Sequence, residues 1–480
     1  MTAQKEFTRL EGLAFCLSAI GVQLSTEYIA QWGPYFYSPT EGGGRTVYVG
    51  IALILPMFVM GRLTDAITDP LIGVWSDKTK PRPGWLRLLP IHGRRRPFIF
   101  WGSVLMTFTA IGLWFPPLSR PSFINFLFGT LMLSLHLTFL TIALVPLLGL
   151  APEVARSTQA RVKLGQWIAV GMIVGLAMAA VLPGVLLTTL DPARRAAEAA
   201  GNAPAFSPVG YQRTAILFAL LSLAAFQFVV WAVKERFHET PSQETPLSVR
   251  TVAHDMRSTL SNSVFVKYVA AFSLFSTGYL ATQRVLPNWA ETGLGGDEST
   301  VTFMMLPFIA SALLTAFFVM PVLARFMPTK WQLFISFAII VAVLPLMYPI
   351  ARLDAEPTTK FLLGGTLFLI CGVAQGMQYV LYTPLLGEII DLDEQQTGRR
   401  REGAYNGMSG VAFKAGQAGS IALSNFCMST FGNSVTNPAG ILLVGPAAGA
   451  VAFLGLLVVW RYPVLQQSPP PTGTDVRDPS

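Results

Sequence analysis

The stretch 61–97, GRLTDAITDPLIGVWSDKTKPRPGWLRLLPIHGRRRP, decides how this chain is organised. Its first part closes an apolar run that begins near residue 48, which places Arg62, Asp65 and Asp69 inside or close to a membrane-spanning helix. An ionised side chain at the centre of a bilayer costs about 2.5–3.5 kcal/mol on insertion scales. Asp65 and Asp69 lie one turn apart on one helical face, so their carboxylates need a cation or a shared proton. The pair is therefore a candidate cation site.

The rest of this stretch is a short loop in which basic residues outnumber the single acid, Asp77. These basic residues are Lys78, Lys80, Arg82, Arg87, Arg94, Arg95 and Arg96. Short loops rich in Lys and Arg stay on the cytoplasmic side of a membrane. Lys5 and Arg9, which precede the first apolar run, put the N-terminus on the same side.

The composition is that of an integral membrane protein. Of 480 residues, 52% are hydrophobic and 12% are charged, whereas soluble domains average about 25% charged residues. The net charge of +8 comes from basic residues in short loops, which indicates membrane lipids and not nucleic acid as partner. The three cysteines show no metal-ligand or CxxC spacing, and no catalytic or nucleotide-binding motif is present. We therefore expect neither an enzyme nor a cofactor.

Twelve apolar runs are long enough to cross a bilayer as helices, since each holds about 20 residues. The longest polar segment divides them six and six. We predict an all-α membrane protein with an N-terminal half (1–233), a central cytoplasmic loop (234–264), a C-terminal half (265–460) and a disordered cytoplasmic tail (461–480). Secondary transporters built from two such halves bind their substrates between the halves, near the bilayer midplane.

Several motifs resemble one transporter family. RLTDAITDPLIGVWSDKTKPRPG with the following GRRRPF, the segment GEIIDLDEQQTGRRREGAYNGM, and VAFKAGQAG around Lys414 are similar to the glycoside–pentoside–hexuronide:cation symporters. This branch of the major facilitator superfamily includes the bacterial melibiose permeases. GVQ at 21–23 and GRRRPF at 93–98 also resemble sucrose:proton symporters locally. The resemblance implies a monomer in the bacterial inner membrane, and the even number of spans predicts that the C-terminus lies on the cytoplasmic side with the N-terminus.

The resemblance also implies roles for residues of the candidate cation site. Asp65 and Asp69 would be cation ligands, joined by the hydroxyls of Thr68 and Thr141, and would become metal ligands if the ion is Na⁺. Carboxylate and hydroxyl oxygens suit a small hard cation, and a buried carboxyl suits a proton. Arg62 and Lys414 would couple this site to the substrate. The alternative is that the two acids only form structural ion pairs with Arg62 and Lys414.

The substrate site departs from the family pattern. The aspartates that bind the sugar in melibiose permeases align with Gln23 and Leu144, so both of these sugar-binding carboxylates are absent here. Gln23 and Glu27 lie on one face of the first helix and offer donors and acceptors to hydroxyl groups. Tyr379 aligns with the family's sugar-stacking aromatic, although an aromatic residue in a span is as often a packing residue.

Two charged loops resemble the gates of the superfamily. Gly73, Asp77 and Arg94, Arg95 and Arg96 match the motif between the second and third helices, and we expect Asp77 to pair with basic groups when the inner side is closed. Glu388, Asp391 and Arg399 hold the corresponding place in the other half. The alternative for this second cluster is an ordinary solvated surface.

Together these features predict a secondary symporter that couples Na⁺ or H⁺ entry to uptake of a sugar or glycoside by alternating access. An empty Asp65/Asp69 site would carry uncompensated charge, and cation binding would remove that penalty. The alternatives are a cation-coupled transporter of a non-sugar solute such as an amphipathic lipid, and a transport-inactive sensor or scramblase with the same fold.

Overall fold

The computed structural model describes residues 7–79, 93–155, 157–202, 205–235, 258–398 and 401–463, and these ranges are helical with short connections. In the first group the helices are α1 (Arg9–Tyr37), α2 (Ile51–Lys78), α3 (Arg96–Gly112), α4 (Phe123–Val154), α5 (Thr158–Thr189), α6 (Pro192–Ala199) and α7 (Val209–Ala232). In the second group they are α8 (Ser263–Leu294), α9 (Glu298–Leu314), α10 (Met320–Phe326), α11 (Thr329–Val343), α12 (Met347–Arg352), α13 (Pro357–Thr397), α14 (Glu402–Phe431) and α15 (Ala439–Trp460).

Ten helical segments of the described chain are long and apolar enough to cross a membrane. Two of them are composite: α9 continues through a π-helical turn, 315–319, into α10, and α11 continues through a 3₁₀ turn, 344–346, into α12. The helices α3, with 17 residues, and α14, with 30, are not among the ten. The helical class is confirmed, and the count of twelve spans stays a prediction.

Local sequence signals explain where several of these helices begin and end. At the start of α1 the Glu11 amide donates to Thr8 Oγ1 (3.2 Å) and the Thr8 amide donates to a Glu11 carboxylate oxygen (2.8 Å). This reciprocal pair satisfies two amides that a helix start leaves free. Gly295 and Gly398, with φ of 69° and 65°, end α8 and α13 in the left-handed region, which glycine enters at no steric cost.

Packing within each group centres on its first helix. α1 packs against α5 and α7, while α8 packs against α14 and α15. The close approach of α1 and α5 needs glycine, because a Cβ at Gly171 would collide with the backbone carbonyl of Cys16. Among the described helices, the largest helix-to-helix contacts between the groups are those of α1 with α8, α2 with α14, and α5 with α9. Charged side chains of α2 and α14 therefore meet across the boundary between the groups.

Candidate functional site

An ammonium group from one helix group lies between two carboxylates of the other. Lys414 Nζ on α14 is 2.9 Å from Asp65 Oδ2 and 2.6 Å from Asp69 Oδ2, both on α2. The Asp65 side chain is 11% exposed and that of Asp69 is 40% exposed. One positive charge thus bridges two negative ones, and Asp69 is the more accessible of the two acids.

A hydroxyl from a third helix completes this cluster. Thr141 Oγ1 on α4 lies 2.9 Å from Asp69 Oδ1 and 3.2 Å from Asp65 Oδ1, and its single hydrogen can be donated to one of them at a time. Thr141 is buried. The carboxylate oxygens of both acids and this hydroxyl face one another, which is the oxygen-rich environment that a small hard cation prefers.

Two other predicted members of the cluster occupy different positions. The Thr68 hydroxyl donates to the backbone carbonyl of Asp65 (3.3 Å), so it is engaged within α2 and does not bond to either carboxylate. Arg62 lies one turn before Asp65, and the charges of Asp65 and Glu27 act on its guanidinium. Within the described ranges Arg62 forms no ion pair, so the structure brings together Asp65, Asp69, Thr141 and Lys414 only.

The predicted substrate residues come from both helix groups. Gln23 and Glu27 are half-buried on α1, and Tyr379 on α13 is 52% exposed. The charge of Glu27 acts on the Tyr379 hydroxyl and on that of Tyr279, so these groups from both helix groups surround one region. This is the place expected of a substrate site between two halves.

Sequence reasoning gave no site role to Arg284, which the structure places beside this region. Its Nε donates to Ser420 Oγ on α14 (2.8 Å), and its Nη1 donates to the carbonyl of Ala30 on α1 (2.5 Å). Arg284 is buried, with 6% of its surface exposed. An arginine in the middle of an apolar run is a functional signal in membrane proteins, and this signal is visible in the sequence around residue 284.

The basic cluster before α3 binds acids of its own helix group. Arg94 Nη2 and Arg95 Nη1 lie 3.0 and 3.2 Å from Glu153 Oε1. The backbone amides of Arg94, Arg95 and Arg96 also donate to the Glu235 carboxylate, at 2.5–2.7 Å. Glu153 and Glu235 were not predicted as partners. They follow apolar runs directly, so their place at the helix ends was readable from the sequence.

The remaining predicted gate residues are only partly described. Gly73 lies half-buried in α2, but the Asp77 side chain and Arg399 lie outside what the structure describes. Thr329 donates to the Glu388 carboxylate (3.3 Å), and Asp391 is exposed on α13. Another ion pair in this region joins Arg401 Nη2 and Asp393 Oδ1, which are 2.6 Å apart.

A buried ionic network joins the two helix groups on the opposite side of the protein, where α1 ends and α2 begins. Arg45 lies between two carboxylates of the second group, 2.6 Å from Glu291 Oε1 and 2.9 Å from Glu298 Oε1. Tyr35 donates to Glu291 and Tyr211 donates to Glu298, each over 3.0 Å. The Arg45 side chain is only 7% exposed.

A second pair extends this network. Arg194 on α6 binds Asp297, the residue that caps α9. Burial acts to raise the pKa of Asp297, but hydrogen bonds from Ser299 and Arg194 outweigh it and lower that pKa. The guanidinium of Arg45 also lies 3.9 Å from the centre of the Phe206 ring, which adds a cation–π contact. Sequence reasoning missed this network because its members lie in loops and at helix ends, where charges are usually solvated.

Comparison with known proteins identifies the class of molecule. A family model described as MFS/sugar transport protein matches residues 14–465. The chain belongs to this family. It is therefore an integral membrane transporter of the major facilitator superfamily and not an enzyme, and the predicted resemblance to a sugar:cation symporter family is confirmed.

Individual relatives agree with this assignment. The transporter is 22% identical to the uncharacterized symporter sll1374 of Synechocystis sp., over 97% of this chain and 95% of that protein. A 70-residue segment, 15% of this chain and 12% of the relative, is 33% identical to the putative glycoside/cation symporter YagG of Escherichia coli. The crystal structure of a bacterial homologue of the human lysosomal transporter Spinster, inward-facing and unoccupied, superimposes with a TM-score of 0.62 and 13% identity over 96% of each chain. At this identity the last match shows the fold alone.

We predict that Lys414→Met lowers the free energy of unfolding by about 1–2 kcal/mol, because it leaves Asp65 and Asp69 facing each other without a cation. The loss stays below that of a fully buried pair because the Lys414 side chain is 32% exposed. Thermal unfolding in detergent measures the effect, with Lys330→Met as the control. Adding Asp69→Asn should recover most of the loss. A double variant as unstable as Lys414→Met would contradict the ion-pair account.

Proposed function

We propose that the transporter is a secondary symporter that couples the entry of Na⁺ or H⁺ to the uptake of a sugar or glycoside by alternating access. It acts as a monomer with twelve spans in two six-helix halves, needs no cofactor, and lies in the bacterial inner membrane with both termini cytoplasmic. The observation that carries the proposal is the cluster of Asp65, Asp69 and Thr141 in one helix group with Lys414 from the other.

The position of Lys414 suggests how cation binding changes the packing of the two helix groups. Lys414 neutralises one of the two carboxylate charges, so the empty site is better compensated than the sequence alone suggested. A cation entering between Asp65 and Asp69 competes with the ammonium group for the same oxygens. Displacing Lys414 would loosen the contact between α2 and α14. Alternating access requires that contacts between the two halves break and form again.

The proposed cargo rests on two kinds of support. The family description names sugar transport and one relative is called a putative glycoside/cation symporter. Gln23 and Glu27 also offer amide and carboxylate groups to hydroxyls, near the partly exposed Tyr379 ring. A non-sugar solute such as an amphipathic lipid, or a transport-inactive sensor or scramblase, would leave cation flux unchanged when sugars are added to proteoliposomes.

The outer network suggests which gate is closed. Arg45, Glu291 and Glu298 join loop 38–50 of the first group to α8 and α9 of the second, and Asn288 on α8 donates to Thr40 over 3.1 Å. Glu41 pairs backbone to backbone with the 433–435 segment. We infer that these contacts seal the substrate region from the outside, and that they must separate in the outward-open state.

We predict that Asp65→Asn and Asp69→Asn each abolish cation-driven uptake while the protein stays folded, because each removes one carboxylate ligand and leaves Lys414 with a single partner. Uptake into proteoliposomes under an imposed Na⁺ or H⁺ gradient measures this, with the exposed Asp354→Asn as matched control. Full activity in both variants would rule out the proposed cation site.

We predict that Gln23→Ala weakens substrate binding by about five- to 150-fold, since leaving a buried hydroxyl without its partner costs about 1–3 kcal/mol. Cation binding at Asp65 and Asp69 should be kept. Calorimetric titration of cation and of the transported sugar, each into both proteins, separates the two effects. Gln159→Ala, on the exposed start of α5, is the control. Unchanged sugar affinity would remove Gln23 from the substrate site.

We predict that Arg45→Gln shifts the transporter toward the outward-open state, because Glu291 and Glu298 then lose their shared cation. A reporter Ser424→Cys, placed in a background without Cys16, Cys371 and Cys427, should be labelled several-fold faster by an impermeant reagent from outside. Arg352→Gln, on the exposed end of α12, should leave labelling unchanged. Equal labelling of both variants would show that the network does not control outer access.

A further inference from the structure

Three small cavities among the described helices form a chain from the outer network toward the cation site. The first is lined by Arg45 of that network and by Tyr35. Tyr35 also lines the second cavity, and Arg284 lines both the second and the third. The third is lined by Arg62, which lies three residues before Asp65. Because neighbouring cavities share a wall residue, they lead stepwise from one end of the bundle to the cation site.

The size and walls of these cavities suit water. Their volumes are about 30, 10 and 20 Å³ in this order, and a water molecule needs about 10–15 Å³ and several polar partners. The second cavity is lined by the polar residues Ser38, Asn288, Ser424 and Asn425. A sugar ring or a hydrated Na⁺ is larger than any of the three. Protons, however, move along chains of hydrogen-bonded waters and polar groups.

Arg284 stands where the second cavity meets the third. Its Nε donates to Ser420 Oγ (2.8 Å) and its Nη1 donates to the Ala30 carbonyl (2.5 Å), so helices α14 and α1 hold the guanidinium in place. The residue is 6% exposed. A guanidinium stays charged in proteins, and a fixed positive charge on a narrow water path is an electrostatic barrier to protons and other cations.

Other titratable groups leave the walls of the second and third cavities positive. The charge of Glu27 acts on both arginines, but among the described residues no carboxylate lines either of these two cavities. His136 lines the third cavity. Its two ring nitrogens lie at hydrogen-bond distance from Ser25 Oγ (3.4 Å) and the Met106 carbonyl (3.5 Å). An excess proton in this part of the chain therefore meets two guanidinium groups.

We propose that Arg284 is the barrier that keeps protons from passing through these cavities to Asp65 and Asp69 while the outer network is closed. The inference rests on the proposed symport function and adds a residue to it. A proton that reached the two acids by this path would enter without substrate, and the gradient would dissipate. Arg62 adds a second positive charge in the third cavity. The coupling ion must then enter with the outer network open, as the substrate does.

The test measures proton entry with no sugar present. Full-length wild-type and Arg284→Gln proteins are reconstituted in proteoliposomes that contain a pH-sensitive dye, and a K⁺ diffusion potential, negative inside, drives protons inward. We expect the wild type to match protein-free liposomes. Arg284→Gln should acidify the interior about tenfold faster, because a unit charge no longer opposes the proton. Arg352→Gln, at the exposed end of α12, should stay as tight as the wild type.

Two further variants separate the charge of Arg284 from its packing. Arg284→Lys keeps the positive charge and should stay tight, so an equal leak in the Lys and Gln variants would indicate a packing defect and overturn the proposal. Asn288→Asp adds a carboxylate of nearly the same shape to the wall of the second cavity, and both hydrogen bonds of Arg284 stay in place. This variant should leak. It replaces Arg284→Gln if thermal unfolding shows that Arg284→Gln does not fold, and tightness would then overturn the proposal.

Failure of this inference and failure of the proposed function give different results. An Arg284→Gln protein as tight as the wild type, or a wild type that leaks as fast as Arg284→Gln, would overturn the barrier and leave symport intact. A wild type without cation-driven sugar uptake would contradict symport. The leak assay needs no sugar, so it tests Arg284 in either case.

Discussion

The pairing of Lys414 with Asp65 and Asp69 is the interaction on which the rest of this transporter depends. Two carboxylates one turn apart on α2 cannot both stay charged inside a membrane unless a cation comes to them. Because that cation is supplied by α14, the requirement for charge balance fixes how the two helix groups meet. In the proposed symport cycle, an incoming ion takes over the place of the ammonium group and thereby alters the contact between the groups.

A second set of charges holds the opposite end of the bundle. Arg45 with Glu291 and Glu298, and Arg194 with Asp297, cross from the first group to the second on the side where α1 ends. Arg284 reaches from α8 to the Ala30 carbonyl of α1 between the two ends. Burial makes each pair costly to leave half-formed, so this end of the bundle is held closed. Separating it requires that these charges find water or other partners.

The candidate site shows which residue roles local sequence can predict. Asp65, Asp69, Thr141 and Lys414 were expected together from motifs, and the structure brings them within 3.2 Å of one another in pairs. Thr68 differs because a threonine on a helix has its own backbone carbonyls within reach, and it donates to that of Asp65. Arg284 was given no site role because its place in an apolar run marks it as functional without naming its partners. Its role depends on Ala30, Ser420 and Arg62, which come from three other helices.

The sequence by itself determined the helical class and the acidic pair on α2. These follow from periodicity, composition and spacing, which act over one or a few helical turns, whereas the family was indicated by the resemblance of whole motifs. Only the tertiary structure decided which charges face each other, because Lys414 and Asp69 are 345 residues apart and Arg45 and Glu298 are 253 apart. Arg45 lies in a loop whose sequence predicts a solvent-exposed side chain. It becomes buried only when both helix groups pack around it. Partners between distant helices are set by packing, and no local pattern records them.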